Sequence, residues 1–243
     1  MILYGRNSVA ERLKADPASI KKIFLQNNFN DPAIEQSAQK NSVPLERLPP
    51  EKLMKIKDAD NLQGIIAQAA DFQYGDLDEL LRIDAAKKTT FIFLDSVYDP
   101  HNLGSIIRTA ACLGGFAIVI PKHKACEVTE AVLHVASGGE NYVPVVKAVN
   151  LSTAIIKAKE AGYWIAGAVV GPGGENLDRA ELAFPLGIVL GSEGEGIRYG
   201  VEKHLDMKVR IPMEGAALSF NVTIACAMFC YEIAKRKRSQ EGH

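Results

Sequence analysis

Residues 186–235, LGIVLGSEGEGIRYGVEKHLDMKVRIPMEGAALSFNVTIACAMFCYEIAK, read as strand, glycine-rich turn, short helix, strand, turn and long helix. The apolar run 186–190 stops at Gly191 and the run 208–211 stops at Pro212, so two predicted strands each feed a polar loop. In α/β sheets ligands sit at such strand ends. The first loop, Gly191-Ser192-Glu193-Gly194-Glu195-Gly196, has glycines that admit close backbone approach and two carboxylates that would repel a phosphate. Its spacing matches neither the dinucleotide fingerprint nor the phosphate loop. A neutral or cationic ligand lying against bare peptide suits it, with an ordinary tight turn as the alternative. The second loop leads into Ser219-Phe220-Asn221-Val222. Ser219 is expected to cap a helix whose buried stripe is Val222, Ala225, Cys226, Phe229 and Ile233. Asn221 then falls in the first turn, facing either the loop cavity beside Ser219 or solvent.

Upstream, residues 91–97 are almost continuously apolar, as in a strand buried on both faces. They run into Asp99-Pro100-His101-Asn102 and a helical pattern in which Asn102 is the expected N-cap and Ser105, Arg108 and Thr109 share one face. A guanidinium in the second turn of that helix is placed to grip a phosphate or an activated oxygen bidentately, or to bridge a structural carboxylate. Strands expected at 117–120, 142–146 and 164–170 alternate with helices at 128–135 and 151–161, which predicts an α/β fold with a mostly parallel sheet.

Residues 1–72 form a smaller α/β pattern. A capping box at Ser8 to Glu11 opens a helix, and strands at 23–26, 43–48 and 63–69 are separated by helices from Pro32 and Pro50. Arg6 and Arg12, with Lys14, Lys21 and Lys22, are candidates for RNA phosphate contact or simply surface charge. Residues 73–87 are acidic and carry Gly75, and they read as a linker with a short helix at 77–83. The catalytic unit is expected over 88–243.

The chain of 243 residues is 47% hydrophobic and 23% charged, which suits a soluble protein with one good core and an appendage. A net charge of -1 argues against bulk attraction to nucleic acid but leaves room for a local basic face. No apolar run approaches membrane-spanning length, and MILYGRNSVAERL is charged too soon for a signal peptide, so a cytoplasmic address is expected. Cys112, Cys126, Cys226 and Cys230 form no C-x-x-C pair and read as core thiols. The histidines lack ligand spacing, so no metal is expected.

Three blocks, residues 99–110, residues 190–197, and residues 211–213 followed by 218–223, resemble in order and spacing the SpoU (TrmH) family of RNA ribose 2'-O-methyltransferases, within the knotted SPOUT superfamily. The opening Tyr4-Gly5-Arg6-Asn7-Ser8-Val9 is similar to the RNA-binding, ribosomal-protein-like domain of the branch that modifies a guanosine of large-subunit ribosomal RNA. The resemblance implies a deep trefoil knot in the C-terminal domain, which chain-level rules would reject. It also implies a homodimer, and S-adenosylmethionine held by main-chain groups around Gly191, Ile211 and Phe220. Phe220 departs from the leucine usual in the family. The family's catalytic role falls on the arginine matching Arg108, surrounded by the residues matching Asn102, Glu193, Ser219 and Asn221. A guanidinium stays protonated, so gripping a phosphate and stabilising a developing alkoxide fits its chemistry better than removing a proton. Rival readings are the same chemistry on transfer RNA and a cofactor-free RNA-binding module.

Overall fold

The computed structural model describes residues 1–83, 89–192, 194–216 and 218–241. The end of the expected linker, residues 84–87, and position 88 lie outside the described residues, as does Glu193. The N-terminal part runs β1 (Ile2–Tyr4), α1 (Arg6–Ala15), β2 (Ile20–Gln26), α2 (Pro32–Lys40), β3 (Leu45–Leu48), α3 (Pro50–Ile56) and β4 (Ile65–Ala69). Its four strands form one sheet in the order β1-β4-β2-β3. Strand β1 was not expected; three residues are too few to show an alternation, and its pairing with β4 is what makes it a strand. The expected capping box is corrected. Gly5, at φ 91, precedes α1, and Ser8 lies buried inside the helix, where its hydroxyl donates to the Leu133 carbonyl at 3.4 Å. In α2 the Asp31 side chain accepts from the Ile34 amide and Pro32 stands at the start, as the Asp-Pro pair predicts.

After α4 (Leu77–Ile83) the chain builds β5 (Thr90–Leu94), α5 (Pro100–Leu113), β6 (Phe116–Pro121), α6 (Glu130–Ala136), β7 (Val145–Ala148), α7 (Leu151–Glu160), β8 (Trp164–Ala168), β9 (Glu175–Asn176), β10 (Leu186–Leu190), α8 (Tyr199–Glu202), β11 (Met207–Arg210) and α9 (Val222–Glu241). The seven strands stand in the order β7-β6-β5-β10-β8-β11-β9, and the pairs are parallel. All five residues of β5 are buried because helices cover both faces. Phe91 and Phe93 pack with Leu151, Ile155 and Ala158 of α7, while Ile92 and Leu94 join Ile106, Ile107, Cys226 and Phe229 from α5 and α9. Cys226 and Cys230 are buried with their sulfurs 3.7 Å apart, and their mutual hydrogen bond together with burial pushes the Cys226 thiol well up.

Helix α5 is capped by Asp99, whose carboxylate accepts from the His101 amide with Pro100 at the first helical position, so Asn102 lies inside the first turn and not at the cap. Asp-Pro outcompetes Asn102 because proline lacks the amide that a cap would have to satisfy.

The two sheets meet along a seam. Tyr4 stacks on His134 at 4.1 Å, and Glu130 accepts from the Ile2 amide and from Lys57, each at 2.6 Å. Gly138 makes the approach possible: a Cβ there would lie 2.4 Å from that of Glu11.

Candidate active site

The cavity at the carboxyl ends of β8, β10 and β11 is walled on one side by the glycine-rich loop that follows β10. Strand β10 ends at Leu190, and at Gly191 the chain turns so tightly that a Cβ would sit 2.1 Å from the carbonyl carbon of Gly196. Ser192 and Gly196 exchange backbone hydrogen bonds of 3.2 and 3.1 Å, and the Ser192 hydroxyl accepts from the Glu195 amide at 3.3 Å. The loop is therefore closed on itself at a position only glycine can fill.

Its exit is anchored by a residue that the sequence reading missed. Asp95, fully buried just beyond β5, accepts from the Arg198 amide at 2.9 Å and from Arg198 Nε at 2.8 Å. Arg198 Nη2 stands 2.5 Å from the same carboxylate, which pushes the guanidinium pKa up. A charged residue closing a continuously apolar strand was the available signal.

Gly191, Ile211, Ser219 and Phe220 all line this cavity, together with Ile197, Met213, Val222 and Phe229, around a volume of about 560 Å³. That size suits a compact organic cofactor. The apolar walls suit a flat ring, and Glu195 and Glu202, also in the lining, suit a cationic centre better than a phosphate. These residues fit S-adenosylmethionine.

The expectation that Ser219 caps α9 is corrected. The side chain of Asn221 accepts from the Thr223 amide at 2.8 Å and its carbonyl accepts from the Ala225 amide, so Asn221 is the cap and Ser219 remains exposed at the cavity wall. Asn221 Nδ2 also donates to Asn102 Oδ1 at 3.3 Å, which joins the helix to α5. Arg108, further along α5, is exposed; it makes no ion pair among the described residues and does not line the cavity.

The two N-terminal arginines part company. Arg6 holds Asp31 at 2.6 Å and lies over the Phe29 ring, with 49% of its side chain exposed. Arg12 is 11% exposed and faces Glu140 across the seam at 3.7 Å. Little of Arg12 is left to meet a phosphate, because α1 turns that face onto the buried Glu140. Among the described residues no His, Cys, Asp or Glu cluster could hold a metal, and no helix is long and apolar enough to cross a membrane.

Residues 89–231 match the SpoU rRNA Methylase family, and residues 2–75 match the family described as RNA 2'-O ribose methyltransferase substrate binding. A putative TrmH family tRNA/rRNA methyltransferase of Staphylococcus haemolyticus is 34% identical over 100% of this chain and 98% of its own length. An uncharacterized tRNA/rRNA methyltransferase of Synechocystis is 36% identical over 97% of the chain, which spans 62% of that protein. The SpoU methyltransferase AviRb of Streptomyces viridochromogenes, solved in complex with AdoMet, has the same fold, with a TM-score of 0.81 at 20% identity over 98% of this chain and 91% of its own. With more than half of its length covered by the first of these families, the chain belongs to the SpoU rRNA Methylase family.

Proposed function

We propose that this chain transfers a methyl group from S-adenosylmethionine to a ribose 2'-hydroxyl of RNA, most specifically a guanosine of large-subunit ribosomal RNA. The observation that carries the reading is the single cavity in which Gly191, Ile211, Ser219 and Phe220 meet although they come from separate loops. The family match and the substrate-binding match over residues 2–75 support RNA as the acceptor. In this reading residues 1–72 bind substrate, residues 88–243 carry the chemistry, and the protein works in the cytoplasm.

When bound, S-adenosylmethionine supplies an electrophilic methyl carbon. The backbone of the Gly191 loop and the walls at Ile211 and Phe220 hold and align it, and alignment of bound reactants is worth roughly 7–11 kcal/mol. Arg108 would grip a substrate phosphate and stabilise the negative charge that develops at the 2'-oxygen as the hydroxyl proton passes to water, with Glu193 orienting Arg108. Asn102 and Asn221 bridge the cofactor side to the helix that carries Arg108, and Ser219 faces the acceptor.

The same reading includes a homodimer and a C-terminal trefoil knot. For the knot, the support is that β10 and β11 each lie beside β8, with α9 returning to pack on α5. For the dimer it is that α9 leaves Ile224, Met228 and Tyr231 exposed at 48%, 37% and 58%. These positions follow i, i+4 and i+7 spacing, so they share one apolar stripe. An exposed Arg108 on the neighbouring helix is then open to a second copy.

The test is methyl transfer from labelled S-adenosylmethionine to unmodified large-subunit ribosomal RNA and to unmodified transfer RNA, followed by mapping of the labelled ribose. Label on ribosomal RNA at a guanosine 2'-oxygen is expected. Label on transfer RNA alone supports the second reading, which the relatives' tRNA/rRNA names keep in view. No binding of S-adenosylmethionine would leave only an RNA-binding module.

A further inference from the structure

The proposed chemistry gives no role to two exposed tyrosines at the carboxyl edge of the large sheet, or to the solvent-facing side of the arginine between them and the cavity. Tyr98, in the loop after β5, is 58% exposed, and Tyr199, the first residue of α8, is 81% exposed. Arg198 is adjacent to Tyr199 in the chain, and the carboxylate that holds it, Asp95, lies three residues before Tyr98 in the same loop. Its amide and Nε are taken by buried Asp95, yet 40% of its side chain faces solvent. Asp95 thus holds a planar cation still at the surface. Tyr199 also stands on a fixed base, since the next residue, Gly200, accepts from the Ser152 hydroxyl at 2.9 Å and ties α8 to α7.

The surroundings say what such a ledge would bind. On one flank lies the cavity, whose lining includes Glu195 and Ile197 just before Arg198. On the other, Lys122 and Lys124 follow β6, the strand beside β5; both are exposed and unpaired among the described residues. Aromatic rings interleaved with cations suit unpaired nucleotides, whose bases stack on tyrosine and on guanidinium planes while lysines meet the phosphates. A base-paired helix keeps its base faces covered and gains little from such a surface.

We propose that Tyr98, Arg198 and Tyr199 form a stacking ledge for single-stranded nucleotides flanking the ribose that is methylated, with Lys122 and Lys124 along its phosphate track. The proposal rests on the reading of this cavity as the site of RNA methylation. It implies that the target lies in an unpaired segment or is drawn out of one.

The experiment uses the full chain and the transcript that the unaltered protein methylates. Tyr98→Ala, Tyr199→Ala, their double variant and the Tyr98→Phe/Tyr199→Phe variant are compared by RNA affinity, by KM and kcat, by S-adenosylmethionine affinity in calorimetry and by sedimentation. Each alanine is expected to weaken RNA binding roughly fivefold to a hundredfold, the worth of one stacked base. KM for RNA should rise in step while cofactor affinity and sedimentation stay unchanged. The phenylalanine variant should stay within about twofold of the unaltered protein, since the stacking face is kept. A double alanine variant with normal RNA affinity and KM, or a phenylalanine variant as weak as alanine, would overturn the ledge alone. Altered sedimentation in place of altered RNA affinity would instead make the ledge a protein interface and overturn the proposal. Inactivity of the unaltered protein on every RNA would overturn both the ledge and the reading beneath it.

Discussion

Asn221 Nδ2 donates to Asn102 Oδ1 at 3.3 Å and so ties the start of α9 to the first turn of α5 across 119 residues of sequence. Asn221 also caps α9 through its other side-chain atom, accepting from the Thr223 amide at 2.8 Å. The two roles separate by mutation. Asn221→Ser keeps a capping oxygen but is too short to reach Asn102, whereas Asn221→Ala removes both. Thermal and denaturant unfolding should show a loss of about 1 kcal/mol for alanine and less than about 0.5 for serine. Both should slow methyl transfer roughly tenfold to a hundredfold by misplacing α5. A serine variant of full activity would mean the bridge has no part in the reaction.

At Gly191 the constraint is backbone against backbone. A methyl group there meets Gly196 carbon and oxygen at 2.1 and 2.3 Å, and no side-chain rotation relieves that. Gly191→Ala should leave the protein folded, because the loop lies outside the core, but open the loop and weaken S-adenosylmethionine at least tenfold in calorimetry. Binding of undiminished strength would show that this turn does not shape the cofactor site.

For Arg108 the distinguishing change is Arg108→Lys, which keeps the charge and loses the planar fork. Loss of one charge-assisted hydrogen bond is worth about 1.5–3 kcal/mol, so methyl transfer should fall roughly tenfold to a hundredfold while cofactor affinity holds. A near-normal rate would remove the bidentate grip from the mechanism.

Two carboxylates at the seam should respond to pH with opposite signs. Burial alone would raise Glu130, but the hydrogen bonds from Lys57 and the Ile2 amide outweigh it, and the carboxyl titrates below its ordinary 4.5. Its stabilising contribution is complete above that value and is lost as the pH falls through the lower folded one. In Glu140 burial dominates over the facing Arg12, and the carboxyl titrates above 4.5. The stability it lends is complete below that value and is lost as the pH rises through the higher folded one. Melting temperatures across a pH series should therefore show Glu130→Gln flattening the acid limb and Glu140→Gln flattening the opposite one. The same direction of change in both variants would contradict this arrangement of charges.

The apolar stripe on α9 gives the last prediction. Met228→Asp combined with Tyr231→Asp puts charge on exposed positions that contribute little to the monomer's own core, so the fold should survive. Sedimentation should shift from dimer to monomer, and a variant that sediments like the unaltered protein would place any association elsewhere.

What the sequence by itself determined is the set of features that depend on near neighbours. The parallel α/β pattern, the buried strand read at 91–97 and found at 90–94, the Asp31-Pro32 helix start and the two polar loops after β10 and β11 are all written in periodicity and turn chemistry within a few residues. The three-residue β1 and the two-residue β9 were not legible, being too short to carry a period. The tertiary structure alone decided what each polar side chain meets. Asp95 receives Arg198 from 103 residues away, Glu130 receives Lys57 from 73, and Arg12 is turned onto Glu140 and away from solvent. It likewise put Ser219 at a cavity wall and gave the cap to Asn221. Such pairings arise because strands distant in sequence are laid side by side in the sheet, and the cost of leaving a buried charge or amide unpaired then selects its partner from whatever the packing brings within reach.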